Sequence, residues 1–88
     1  MRVYVKQIDI ERGQRYSFYS CPIARAVRRA LRKLGRYPRR VAITGQYCNV
    51  VYSRRTYICA LEPLAADFVS AFDGRAPVGP FSFCVAGL

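Results

Sequence analysis

Twelve basic side chains lie between residues 12 and 55 without one carboxylate among them: Arg12, Arg15, Arg25, Arg28, Arg29, Arg32, Lys33, Arg36, Arg39, Arg40, Arg54 and Arg55. The flanks are different. Residues 1–11 set Arg2 and Lys6 against Asp9 and Glu11, and residues 56–88 set Arg75 against Glu62, Asp67 and Asp73. The formal charge of +10 is therefore concentrated in the first two thirds of the chain. Thirteen of the fifteen bases are arginine, whose planar guanidinium presents paired N–H donors to phosphate or carboxylate. A GC-rich genome would also favour arginine codons, but codon usage does not remove acids. With no acid nearby in sequence, the segment repels itself until an anionic partner supplies the missing charge.

Catalytic chemistry has few groups to draw on. The chain contains no histidine, so a general base must come from five carboxylates, and no two of these form a recognisable motif. Asp67 and Asp73 look like solvating charges on a helix and its end. Cys21, at a helix start beside arginines, is a candidate for a lowered pKa, but no second catalytic group accompanies it. The expectation is a protein that is not an enzyme and needs no cofactor. Cys21, Cys48, Cys59 and Cys84 are widely spaced, with no C-x-x-C pair, unlike the close ligand pairs of structural zinc sites. No metal site is expected. A Cys48–Cys59 disulfide is conceivable, but a reducing compartment favours buried free thiols acting as small apolar residues.

The elements that position the arginines follow from period and punctuation. Residues 2–8 alternate with Val3 and Val5 on one side and predict a strand; residues 9–20, with Gly13, predict a loop. Cys21-Pro22 opens a helix in which Ile23, Ala26, Val27, Ala30, Leu31 and Leu34 form one apolar stripe, closed by Gly35. Opposite the stripe, Arg25, Arg28, Arg29 and Arg32 recur at i, i+3, i+4 and i+7. That ridge is spaced to follow a phosphate backbone; the plainer alternative is a solvated helix face. Because the ridge points away from the stripe, reversing Arg25, Arg28 and Arg32 to glutamate is expected to leave the core intact.

Three strands are predicted next, at 40–44, 47–52 and 57–61. Gly45-Gln46 suits a type II′ hairpin, and Ser53-Arg54-Arg55-Thr56 forms the second turn, with Arg54-Arg55 at its tip. With two central residues in each turn, Val41, Ile43, Cys48, Val50, Cys59 and Leu61 share a face. The opposite face holds Ala42, Thr44, Tyr47, Asn49, Val51, Ile58 and Ala60, which is apolar for an open surface. Pro63 starts a second helix carrying Leu64, Ala65, Phe68, Ala71 and Phe72, ended by Gly74. Phe81, Phe83 and Val85 mark a last strand.

The order is β-α-β-β-β-α-β: one compact α+β domain over residues 1–88, with about five short, mostly antiparallel strands and two helices. Two helices covering one side of a five-stranded sheet would leave Tyr47, Val51 and Ile58 as a candidate homodimer face.

The segment Cys21-Pro22-Ile23-Ala24, continuing as CPIARAVRRAL after Ile10 and Gly13, resembles the helix start of a group of small, largely uncharacterised phage and prophage proteins. So does the proline-led second helix, with the tail AFDGRAPVGPFSF at residues 71–83. The resemblance spans most of the chain and implies a phage setting and an α+β fold, without an activity to transfer.

The leading expectation is a phage accessory protein binding nucleic acid through its phosphates. The candidate anion-binding residues are Arg25, Arg28, Arg29, Arg32, Arg36, Arg39, Arg40, Arg54 and Arg55; Tyr16, Tyr19 and Tyr37 are candidates for stacking on bases. Phe18, among the same aromatics, suits either stacking or core. The alternative is an anti-defence inhibitor that docks on an acidic host protein or sequesters a small nucleotide. No run of about 18 apolar residues and no signal peptide is present, so the expected location is the host cytoplasm, away from membranes.

Overall fold

The computed structural model describes residues 1–87. Along them run β1 (Arg2–Val5), α1 (Gln7–Arg12), α2 (Pro22–Lys33), β2 (Arg40–Thr44), β3 (Tyr47–Val51), β4 (Thr56–Ala60), α3 (Pro63–Asp73) and β5 (Phe81–Cys84). The order β-α-β-β-β-α-β holds, with one short helix added. The strands form two sheets rather than one of five strands: β1 pairs with β5, and β2, β3 and β4 form a separate antiparallel sheet. The central helix α2 packs against β1 and β2 and so joins the two sheets.

The first strand is shorter than its alternation suggests. It ends at Val5, and residues 7–12, expected to continue the strand into a loop, turn into α1. Lys6 is extended at the N-cap, and the Asp9 carboxylate accepts its N–H at 2.9 Å, one arm of a capping box. The residue that α1 buries is Asp9, not an apolar one, so no hydrophobic period announces the helix. Gly13 ends it where the chain must pass under the start of α2. A Cβ at Gly13 would lie 2.6 Å from both the Asp9 carbonyl and the Pro22 ring.

The helix α2 forms as its punctuation predicts. Pro22 occupies the first turn, and the Cys21 sulfur accepts the Ala24 N–H at 3.5 Å. Ile23, Ala24, Ala26, Val27 and Leu31 are buried; Ala30 is half-buried, and Leu34 is exposed beyond the end of the stripe. Gly35, at φ +74°, closes the helix. The N–H of Gly35 donates to Arg32 O and that of Arg36 to Leu31 O, both at 2.9 Å, the paired bonds of a Schellman end.

In the three-stranded sheet Val41, Ile43, Cys48, Val50 and Leu61 are buried and Cys59 is half-buried, so the expected face is the inner one. Gly45 alone of the Gly45-Gln46 pair has positive φ, +57°, as a type II′ turn requires. The second turn sits one residue earlier than expected, which slips the β3–β4 register by two. Tyr52 N–H donates to Arg55 O at 2.7 Å and Val51 lies opposite Thr56, leaving Ser53-Arg54 at the centre. An even slip keeps every side chain on its own face, and the assignment of faces survives the error in the turn.

The helix α3 buries Ala65, Phe68 and Phe72, while Leu64, expected on the same stripe, is exposed. Phe68 stacks on Phe72 at 6.1 Å between centroids and meets Phe81 at 4.8 Å; Phe81 meets Phe83 at 5.8 Å. That row of rings docks α3 on β5. Glu62, just before α3, accepts the Cys84 N–H at 3.0 Å, and the Met1 ammonium donates to Val85 O at 2.9 Å.

The close approach at Gly13 sets a test. Gly13→Ala is expected to lower stability by about 1–3 kcal/mol, because both backbone and a proline ring would have to give; chemical denaturation measures it.

Candidate nucleic-acid interface

The arginine ridge of α2 is not a uniform solvated face. Asp9, 20 residues earlier in sequence, comes up beneath it with a side chain that is 0% exposed. Its two oxygens accept from Arg29 Nη1 at 2.7 Å and Nη2 at 2.6 Å, a bidentate pair, and Arg25 Nε stands 3.6 Å from Oδ1. Arg29 Nη2 also donates to Tyr4 O at 2.8 Å. Arg29 therefore fastens β1 and α1 to α2. The expectation that the ridge has no acid to pair with is corrected: the acid belongs to a segment that is neutral by local count. The charge reversal expected to spare the fold is corrected with it, since glutamate at position 25 would face the buried Asp9.

Burial of the Asp9 carboxylate tends to raise its pKa. The Arg29 hydrogen bonds, the Lys6 N–H and the charges of Arg29 and Arg25 outweigh that and hold it below its ordinary value of 3.8. The Arg29 pKa is raised by the same pairing.

Among the described residues the rest of the ridge has no such partner. Arg28 Nη1 donates to Tyr19 O, which pins the loop before α2. Its pKa is lowered, first by burial and then by the charges of Arg32 and Arg25. Arg40, at the start of β2, lies over the Tyr19 ring, 5.7 Å from its centroid. Arg32 and Arg39 are exposed. Tyr19 is thus tied by two arginines of its own chain, one at its carbonyl and one at its ring, and stays 47% exposed. Tyr16 is exposed, with φ +55°, and lies with Phe18 and Asp73 along a different groove. Asp73, expected to be a solvating charge, accepts the Tyr16 N–H at 2.9 Å and holds that loop.

A second basic feature brings together residues that are far apart in sequence. An open cleft of about 730 Å³ runs between the segment after α2 and the β3–β4 turn. Arg36 and Tyr37 line it from one side; Tyr52, Ser53, Arg54, Arg55 and Tyr57 line it from the other. No carboxylate side chain lines it among the described residues. Tyr37 is 72% exposed. Tyr52 and Tyr57 meet edge to face at 5.9 Å and 88°, and interaction with the Tyr57 phenol raises the Arg55 pKa. Of the tyrosines singled out for stacking, only Tyr37 belongs here; Tyr52 and Tyr57 were missed. The available signal was their placement in Y-S-R-R-T-Y, which a tight hairpin folds onto one side.

Comparison with protein-family models, with curated proteins and with solved structures finds no match for the chain. The chemistry of the site must be read from its own residues.

Three other expectations have a definite structural setting. On the outer sheet face Tyr47 and Ile58 are exposed, Ile58 by 68%, and Val51 is half-buried. The four cysteines are free, with Cys48 directly opposite Cys59. Burial pushes the Cys48 thiol up to about 12 and raises Cys21 as well, the reverse of the activation considered for Cys21. Among the described residues no group of three metal-ligating side chains converges, and no helix is long and apolar enough to cross a membrane.

Two results are expected from the Asp9 clasp. A carboxylate whose folded pKa is depressed contributes stability above its unfolded value, so that part should be lost as pH falls below about 3.8 and through the folded pKa. Asp9→Asn should flatten this part of the profile and cost roughly 2–3 kcal/mol at neutral pH. Denaturant melts of both proteins from pH 7 to 2.5 measure this.

Proposed function

We propose that this chain is a non-enzymatic nucleic-acid-binding protein that grips phosphates through arginine, in the phage setting its sequence resemblance implies. One observation carries the reading. Among the described residues, only Arg25 and Arg29 have a carboxylate within 4 Å, although the chain holds fifteen bases. Surface arginines in a balanced protein are interspersed with acids. Among the described residues Arg28, Arg32, Arg36, Arg39, Arg40, Arg54 and Arg55 have no such neighbour, and burial followed by the charges of Arg32 and Arg25 lowers the Arg28 pKa.

A polyanion relieves that repulsion and gains entropy by releasing its condensed counterions. Phosphate is the better match than a side-chain carboxylate because a nucleic acid offers closely spaced charges to a surface several arginines wide. The paired Arg29 and Arg25 hold the helix in place, and the unpaired arginines make the contacts.

The test is a fluorescence titration with duplex DNA over a range of salt. If about five phosphates are neutralised, log K should fall with log salt at a slope near −4.5. Reversing Arg32, Arg36 and Arg54 to glutamate, three exposed positions, should abolish binding at low salt while the melting temperature stays within a few degrees. Absence of binding to DNA and RNA at low salt ends the reading.

A further inference from the structure

The cleft between the α2 end and the β3–β4 turn differs from the ridge in one respect: it alternates cations with aromatic faces. We infer that it is a subsite for one unpaired nucleotide of a single strand, the base lying against the rings of Tyr37 and Tyr57 and the phosphates facing Arg36, Arg54 and Arg55. The inference rests on the nucleic-acid reading and narrows it to a preference for single strands.

The backbone that carries Arg36 and Tyr37 and the backbone of the hairpin opposite are set by hydrogen bonds before any ligand arrives. The Schellman end of α2, with Gly35 at φ +74°, sets the direction in which Arg36 and Tyr37 leave the helix. The Tyr52 N–H to Arg55 O bond closes the opposite hairpin, and the edge-to-face contact with Tyr52 restrains the Tyr57 ring. A site built on two such closures loses little entropy on binding. Its volume of about 730 Å³ falls within the range of small-molecule sites and suits a nucleotide rather than a duplex.

The chemistry favours an unpaired base. Tyrosine stacks on any base whose face is exposed, whereas the bases of a duplex are already stacked on one another. Arginine on both walls can follow the phosphates that enter and leave the cleft. The groove among Arg25, Arg28, Arg29 and Arg32 is lined by no aromatic ring and reads charge, so it does not supply this discrimination.

Fluorescence anisotropy at low salt tests the inference, with a labelled oligothymidylate, the same strand carrying abasic sites, a duplex of equal length, and a free mononucleotide as competitor. The intact strand is expected to bind about tenfold more tightly than either the abasic strand or the duplex. Tyr37→Ala should remove about that factor for the intact strand and leave duplex affinity unchanged. Tyr37 is largely exposed, so the fold should tolerate the change, and a thermal melt checks this. Equal affinity for strand, abasic strand and duplex overturns the inference while leaving the nucleic-acid reading standing. So does an unaltered Tyr37→Ala variant, or a mononucleotide that binds as tightly as the strand. Loss of all binding at low salt overturns both.

Discussion

The buried carboxylate of Asp9 is the constraint on which the rest of this small domain depends. It is fully withdrawn from solvent, and a lone buried charge would cost several kcal/mol. Arg29 meets it with two short hydrogen bonds, the Lys6 N–H adds a third, and Arg25 stands nearby. The same Arg29 guanidinium caps Tyr4 O, so one cation connects β1, α1 and α2. Those elements lie at the junction of the two sheets, and the tight passage at Gly13 lets α1 approach α2 closely enough for the pair to form.

The clasp also divides the arginines by role. Arg29 is satisfied inside the molecule, and Arg25 stands beside it with a buried Nε that has no hydrogen-bond partner among the described residues. The others carry charge that nothing in the described chain neutralises. Other acids are engaged elsewhere: Glu62 holds the Cys84 N–H, and Asp73 holds the Tyr16 N–H. No acidic side chain among the described residues lines the cleft between α2 and the β3–β4 turn, where Arg36, Arg54 and Arg55 gather. An anion is the natural complement to that surface, and the tyrosines of the cleft add a flat apolar component that phosphate alone does not need.

Elements with a strong period or firm punctuation could be read directly from the sequence. The stripe from Ile23 to Leu31 with Pro22 and Gly35 specifies α2, and Pro63 to Gly74 brackets α3. The alternation through Val41, Cys48 and Cys59 gives the inner face, even though the Ser53-Arg54 turn was misplaced, because a slip of two residues conserves parity. The helix α1 escaped notice because it is one and a half turns long and buries an aspartate, so periodicity has nothing to detect. The Asp9–Arg29 pair escaped because a tally by segment treats charge as local, and 20 residues separate the partners. The cleft is a tertiary product: Tyr37 lies in the segment after α2 and Tyr57 in β4, and only the closing of α2 and of the hairpin brings them together.

The division of arginines into a structural pair and a proposed anion-binding set can be tested residue by residue. The direct measurement is an NMR titration following the arginine Nε–Hε signals of isotope-labelled protein as a single-stranded oligonucleotide is added at low salt. The account predicts progressive shifts at Arg32, Arg36, Arg54 and Arg55, with the Arg29 signal unmoved because its guanidinium is already held by Asp9 and Tyr4. Signals that all stay in place would contradict it, as would a response led by Arg29.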